Sequence, residues 1–168
     1  MTEEADAATR EILRRRAEKL RAPPPVEEDE GAVELFASFA IDSERYALPL
    51  SSLKAIIGLK LVTPVPLVPA HVIGIVRYQG DIVTALSLAA LLRDRSWRAD
   101  TQFLLIVEPT PGRVVGLDCA EIPLAMALPR QLVASARERE DGAVREVLTP
   151  EREVIGILDV ERLLERSR

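Results

Sequence analysis

The sequence predicts a mainly β protein built from two similar units. Many short apolar segments alternate with turn signals at close intervals, which is typical of β-barrels or sandwiches and not of a parallel α/β sheet. One stretch, residues 71–92, reads as strand, tight turn, strand and short helix, and a similar stretch recurs at residues 147–164. Internal repetition is a strong architectural signal. We therefore predict two small barrels that share a hydrophobic contact.

The repeat aligns two strand-and-helix units. The first stretch turns at residues 79–81, and Ser87 then follows the second strand as the predicted cap of a short helix. A shift of seventy-two residues places Ser87 on Asp159 and Leu86 on Leu158. The second copy therefore has the same order of strand, capping residue and Leu-Leu helix.

A further pair of strands precedes each copy. Residues 35–47 resemble residues 103–115 at a shift of sixty-eight positions. The repeat also predicts the core, in which three aliphatic side chains fill each barrel. These are Ile75, Val83 and Leu86 in one barrel and Val147, Ile155 and Leu158 in the other.

Length and charge narrow the class of protein. The chain has 168 residues, which suits one domain with an appendage. Its net charge of −5 and pI near 5.1 argue against a nucleic-acid surface. No apolar run approaches the roughly 20 residues of a membrane span, and the charged N-terminus does not resemble a secretory signal peptide. The single cysteine cannot form an internal disulfide, which favours the cytoplasm.

The N-terminal part divides into a tail and a linker. Residues 1–22 have a loose apolar stripe at helical spacing, so we predict a helical tail. Its basic segment could bind a membrane surface or an acidic partner, or it could be a solvated helix with a thin apolar face. Residues 23–31 combine a proline run with an acidic run, as linkers do. The folded domain is expected to cover residues 32–168.

The remaining elements follow from local patterns. We predict a short helical turn at residues 53–57 after two serines, and an extended, irregular approach to His71 through three prolines. Trp97 lies in a charged loop and is either an interface anchor or an aromatic folded onto a barrel. The other predicted segments are strands at 33–41 and 46–50, a hairpin over 101–117, an apolar segment at 122–128, a helix at 131–139 and a final turn near 150–153.

The sequence contains no recognisable catalytic, cofactor-binding or metal-binding constellation. It has no His/Cys cluster with metal-ligand spacing and no Gly-rich phosphate loop. A nucleophilic Cys119 paired with the distant His71 is the one enzymatic alternative. Because Cys119 lies in an apolar strand, we expect a buried, inert thiol instead.

Several motifs together resemble the CheW family of chemotaxis coupling proteins. They are the proline-rich run of Pro64, Pro66 and Pro69, the segments 74–76, 80–83 and 86–88 that follow it, the second strand at 46–50, and the C-terminal segment 157–164. The resemblance covers roughly residues 34–164 and depends on the order and spacing of the motifs. It implies two five-stranded, SH3-like barrels and a non-enzymatic adaptor. Members of the family join chemoreceptor cytoplasmic tips to the regulatory domain of the histidine kinase CheA, so the implied location is the cytoplasm, at receptor arrays.

The resemblance also implies a partner-binding surface and shows where this chain departs from it. Gln79 stands where the family places a partner-binding arginine, and Arg77 stands where it places asparagine. Ala55 replaces a common glutamate, and Cys119-Ala120 replaces a Val-Asp pair. Gln lacks the permanently charged, bidentate fork of Arg, so binding to the kinase is expected to be weakened. The partner-binding residues implied by the resemblance are Leu53, Ala55, Ile56, Gly74, Arg77, Gln79 and Gly80.

These residues leave two readings of the function. The chain either bridges receptor and kinase, or it binds receptors or other array components without coupling them to the kinase. An arginine or lysine elsewhere, such as Arg77, Arg45 or Lys60, could supply the charge that Gln79 lacks.

Overall fold

A computed structural model describes residues 32–93, 101–139 and 142–165. The predicted tail, the linker and the loop that holds Trp97 lie outside these residues. Within them, no helix combines the length and the apolar character needed to cross a membrane.

Ten strands, three short α-helices and two 3-10 helical turns, Leu50–Ser52 and Leu59–Leu61, make up the described domain. The strands are β1 (Val33–Ile41), β2 (Glu44–Pro49), β3 (Leu53–Gly58), β4 (Val72–Tyr78), β5 (Asp81–Leu86), β6 (Phe103–Thr110), β7 (Arg113–Cys119), β8 (Leu124–Pro129), β9 (Val144–Leu148) and β10 (Val154–Leu158). The helices are α1 (Leu88–Arg93), α2 (Arg130–Arg139) and α3 (Val160–Glu165). This confirms the mainly β class, the strand at 33–41 and the helix after residue 130.

The strands form two sheets of five. Sheet A has the order β8-β1-β2-β10-β9, and sheet B has the order β3-β6-β7-β5-β4. In both sheets one parallel pair, β2 with β10 or β7 with β5, joins two antiparallel groups. Within the described residues, no strand ladder joins β8 to β9 in sheet A or β3 to β4 in sheet B. Neither sheet therefore closes into a complete barrel.

The two sequence repeats exchange strands between the sheets. The first repeat places its opening hairpin, β1 and β2, in sheet A and its next three strands in sheet B. The second repeat does the reverse, because β6 and β7 join sheet B while β8, β9 and β10 join sheet A. Neither sheet is therefore the product of one continuous half of the chain.

Three hydrophobic clusters fill this architecture. All five strands of sheet A surround one inner cluster, which helix α2 covers, and all five strands of sheet B surround another. The third cluster lies between the sheets and includes helices α1 and α3. Val83, Val147 and Ile155 lie in the inner clusters, as predicted.

The placement of Leu86 and Leu158 as inner-core residues was wrong. Both lie in the cluster between the sheets, and Ile75 is only half-buried and belongs to none of the three clusters. Strand residues point alternately to opposite faces, so Leu86 lies on the opposite face from Val83, three positions earlier. Leu158 is related to Ile155 in the same way.

The repeat itself has a structural counterpart in the helix caps. The backbone N–H of Ala90 donates to Ser87 Oγ over 3.4 Å, and that of Arg162 donates to Asp159 Oδ1 over 3.2 Å. Each acceptor precedes its donor by three positions, which is the geometry of an N-cap. Ser87 and Asp159 are therefore equivalent, as the shift of seventy-two residues predicts.

The predicted helical turn at residues 53–57 was also wrong. The helical turn ends at Ser52, and Leu53–Gly58 forms β3, paired antiparallel with β6. The burial of its side chains alternates along the strand, and Ile56 and Ile57 are β-branched, both of which suit a strand.

Candidate functional site

The seven predicted partner-binding residues all lie in sheet B. Leu53, Ala55 and Ile56 are on β3, and the other four are on β4 and its turn. These are the two end strands of the sheet. Between them, Thr63 exchanges two backbone hydrogen bonds with Ile75, of 2.7 and 2.9 Å. The chain that leaves β3 is thereby attached to β4.

Only part of this set is accessible. Ile56, Arg77, Gln79 and Gly80 are exposed, and we call these four residues the exposed set. Gly74 is buried, and Leu53 and Ala55 are half-buried.

A β-bulge sets the direction of the half-buried pair. Leu53 packs against the cluster between the sheets, whereas Ala55 packs against the inner cluster of sheet B. The register shift between the two residues explains why they face opposite sides of one strand. Neither residue presents its side chain freely to a partner.

The hairpin turn determines how Gln79 is presented. Tyr78 pairs with Asp81, so the turn has two residues, and both have positive φ, 51° at Gln79 and 96° at Gly80. Positive φ at both central positions is the mark of a type I′ turn. Strand alternation does not extend into a left-handed turn, so the spacing of two residues does not place Gln79 on the strand face of Arg77.

Gly74 acts by allowing a close approach of two backbones. A Cβ at this position would overlap the carbonyl oxygen of Thr63 and lie 2.8 Å from its carbonyl carbon. The Thr63–Ile75 bridge can form only because Gly74 has no side chain. Gly74 thus positions the β4–β5 hairpin and offers no side chain to a partner.

The sequence did not predict an ion pair between β3 and β6. Lys54 Nζ lies 2.6 Å from Glu108 Oε2, and the backbone N–H of Gly112 donates to Glu108 Oε1 over 2.9 Å. The hydrogen bond to Glu108 raises the pKa of Lys54, and the same contact lowers the pKa of Glu108. Only the pairing of β3 with β6 brings these residues together, so no local sequence signal could have identified the pair.

Exposed aliphatic side chains were also missed. Ile82 is exposed and pairs with Arg77 beside the turn, and Leu67 is exposed in the proline-rich loop. For Ile82 a signal existed, because the adjacent Val83 is a core residue and neighbours on a strand face opposite ways.

Arg45, one of the three basic residues considered as a replacement for the charge that Gln79 lacks, does not lie in sheet B. It lies on β2 in sheet A, where its Nε is 3.5 Å from Glu153 Oε1. Arg77 and Lys60 are exposed in or next to sheet B.

The local chemistry argues against a nucleophilic Cys119. The side chain is buried, as expected, and its Sγ donates to the carbonyl oxygen of Glu121 over 3.0 Å. Burial raises the pKa of the thiol to about 11, so it is protonated at neutral pH, whereas a reactive cysteine needs a lowered pKa. Across the described ranges, no group of three or more His, Cys, Asp or Glu side chains could hold a metal ion.

Comparison with known proteins agrees with this architecture. A family model described as "CheW-like domain" matches residues 35–168, which is most of the chain. The chain belongs to the CheW-like domain family. Both sheets and all three described helices fall within the match, except for the first two residues of β1.

Individual relatives are distant. Protein FrzA of Myxococcus xanthus is 26% identical over 140 residues, which cover 79% of this chain and 86% of FrzA. Chemotaxis protein CheW of Rhizobium meliloti (strain 1021) is 28% identical over 87 residues, 52% of this chain and 56% of that protein. The crystal structure of scaffolding protein TtCheW from Thermoanaerobacter tengcongensis matches with a TM-score of 0.56 at 16% identity, covering 76% of this chain and 84% of TtCheW. The chain is thus a divergent member of the family.

Proposed function

We propose that this protein is a non-enzymatic adaptor that links chemoreceptor cytoplasmic tips to a CheA-type histidine kinase. The observation that carries the proposal is the CheW-like match over the whole two-sheet domain. A relative named as a chemotaxis protein and a structural neighbour described as scaffolding support the same class of function. Such an adaptor would work in the cytoplasm, associated with receptor arrays through its partners.

The exposed set is the proposed contact surface in sheet B. Ile56 supplies an apolar contact, Arg77 supplies a charge, and the type I′ turn after β4 presents Gln79. The half-buried Leu53 and Ala55 and the buried Gly74 would act by holding these strands in place. No cofactor or metal is part of this proposal.

Two neutral side chains support a second candidate function. At Gln79 and Ala55 this chain has neutral residues where the family resemblance places charged ones. A hydrogen bond to a charged group contributes about 1.5–3 kcal/mol when well formed, so one such loss weakens binding about tenfold to a hundredfold. The protein would then bind receptors or other array components without coupling them to the kinase.

Calorimetry with each cognate partner separates the two functions. The protein is titrated with the receptor tip and, in a second experiment, with the regulatory domain of its own kinase. Micromolar or tighter binding to both supports the bridge, and binding to the receptor alone supports the second function. Absence of binding to either partner would contradict the bridge and would also contradict receptor binding as the second function.

Substitution at the turn tests the role of charge. Gln79→Arg is expected to strengthen kinase binding by about tenfold to a hundredfold if the neutral side chain is what weakens it. The backbone requirement is similar, because neither Gln nor Arg is favoured at positive φ. Gln131→Arg is the matched control, since it adds the same charge at an exposed position on α2, beside sheet A. An equal gain from both variants would show that only net charge matters.

A further inference from the structure

The ion pair between β3 and β6 places a positive charge on the proposed contact surface. Lys54 Nζ lies 2.6 Å from Glu108 Oε2, and the side chain of Lys54 is 45% exposed, against 24% for Glu108. Lys54 and Ile56 lie two positions apart on β3, and both are exposed. The ammonium group therefore lies at the surface, beside a member of the exposed set.

Glu108 holds this ammonium group in place. Its Oε1 accepts the backbone N–H of Gly112 over 2.9 Å, so each oxygen of the carboxylate has a donor. The hydrogen bond and the charge of Glu108 raise the pKa of Lys54, so the lysine is positively charged at neutral pH. A lysine ammonium has three N–H donors and the contact with Glu108 needs one, so it can also donate to an oxygen of a partner.

The same ammonium group lies near the turn after β4. Tyr78, the last residue of β4, also raises the pKa of Lys54 through charge, though by less than Glu108 does. Ala55, the neighbour of Lys54, and Tyr78 both pack against the inner cluster of sheet B. Gln79 follows Tyr78 directly, and consecutive Cα atoms are about 3.8 Å apart. Lys54 is therefore close to the turn that presents Gln79.

We propose that Lys54 is the specificity-determining positive charge of this surface and pairs with a carboxylate on the kinase regulatory domain. The family resemblance places an arginine at position 79, and the natural partner of an arginine between two proteins is a carboxylate. Lys54 offers a positive charge near that position, where Gln79 has none. An ammonium is a point charge without the planar fork of Arg, so it can meet the carboxylate from a different direction. This role rests on the proposed adaptor function.

Calorimetry of the full chain with the regulatory domain of its own kinase tests the proposal. Lys54→Met keeps a side chain of similar length and removes its charge, so binding is expected to weaken about tenfold or more. Lys54→Arg keeps the charge and should retain most of the affinity. Binding by the native chain should weaken as salt is added, and Lys54→Met should reduce this dependence on salt.

Lys60→Met is the matched control. Lys60 is also an exposed lysine next to sheet B, in the helical turn that follows β3. Its replacement should leave the affinity for the kinase domain unchanged. An exposed ion pair contributes little to stability, so Lys54→Met and Lys60→Met should both unfold at nearly the same urea concentration as the native chain. A loss of binding is then not a consequence of unfolding.

The outcomes separate the role of Lys54 from the adaptor function. Unchanged binding by Lys54→Met, or equal weakening by Lys54→Met and Lys60→Met, would overturn the role of Lys54 and leave the adaptor function standing. No binding by the native chain would contradict the bridge, and the role of Lys54 with it. Glu108→Gln keeps the charge of Lys54, so it should bind more tightly than Lys54→Met. Weaker binding by Glu108→Gln than by Lys54→Met would assign the recognition to the carboxylate instead.

Discussion

Replacing Gly74 with alanine is expected to destabilise the domain by displacing the chain that connects β3 to β4. The atoms that a Cβ would meet are all backbone atoms, namely the carbonyl group of Thr63 and the Cα of Pro64. A flexible side chain could rotate away from the added methyl group, but a proline-braced backbone cannot do so without moving the loop. The Thr63–Ile75 bridge is therefore the feature that breaks.

The magnitude follows from the bridge and the overlap. Two backbone hydrogen bonds, of 2.7 and 2.9 Å, are lost or lengthened, and each contributes about 0.5–1.5 kcal/mol. Forcing a methyl group into a filled site adds about 1–3 kcal/mol. Together these effects predict a loss of about 2–6 kcal/mol in the free energy of unfolding. Gly58→Ala is the matched control, because no atom lies within 4 Å of its Cβ and its φ is −72°.

Urea unfolding followed by far-UV circular dichroism measures the loss. Hydrogen exchange at the amides of Thr63 and Ile75 locates it, since both amides donate in the bridge. Gly58→Ala should change stability by less than about 0.5 kcal/mol. If Gly74→Ala cost less than about 1 kcal/mol with both amides still protected, the structural role assigned to Gly74 would be refuted.

Three further predictions concern the core, the tail and the cysteine. Leu158→Ala should lower the free energy of unfolding by about 2–5 kcal/mol, because the side chain is buried between the sheets. Leu148 is exposed on β9, so Leu148→Ala should lower it by less than about 1 kcal/mol. Similar values for the two variants in urea melts would show that Leu158 is not a core residue. Deletion of residues 1–31 should leave the thermal midpoint nearly unchanged, and a large drop would show that the tail supports the domain. Because the pKa of Cys119 is raised from 9.0 to about 11 in the folded state, its contribution to stability is present below pH 9 and lost as the pH rises towards 11. Cys119→Ala should therefore lose less stability than the native chain between these pH values, and parallel pH profiles would contradict the raised pKa.

The sequence predicted only part of the geometry of the candidate site. The family resemblance selected seven residues, but the structure decides their burial: four are exposed, Leu53 and Ala55 are half-buried and Gly74 is buried. The bulge after Leu53 and the left-handed turn at Gln79 change side-chain directions that a simple alternation of strand residues predicts otherwise. The bulge arises from pairing with the distant strand β6, so the local sequence does not encode it clearly.

By itself the sequence determined most of the local elements and their repetition, but not the strand Leu53–Gly58. The turn at Gln79 and Gly80 and the caps at Ser87 and Asp159 depend on neighbours within a few residues, and all were predictable. Only the tertiary structure decided which strands share a sheet. The alternating pattern of a strand predicts which side chains are buried, but it does not predict which other strand or helix covers them. The exchange of strands between the repeats, and the burial of Leu86 and Leu158 between the sheets, follow from contacts that are distant along the chain.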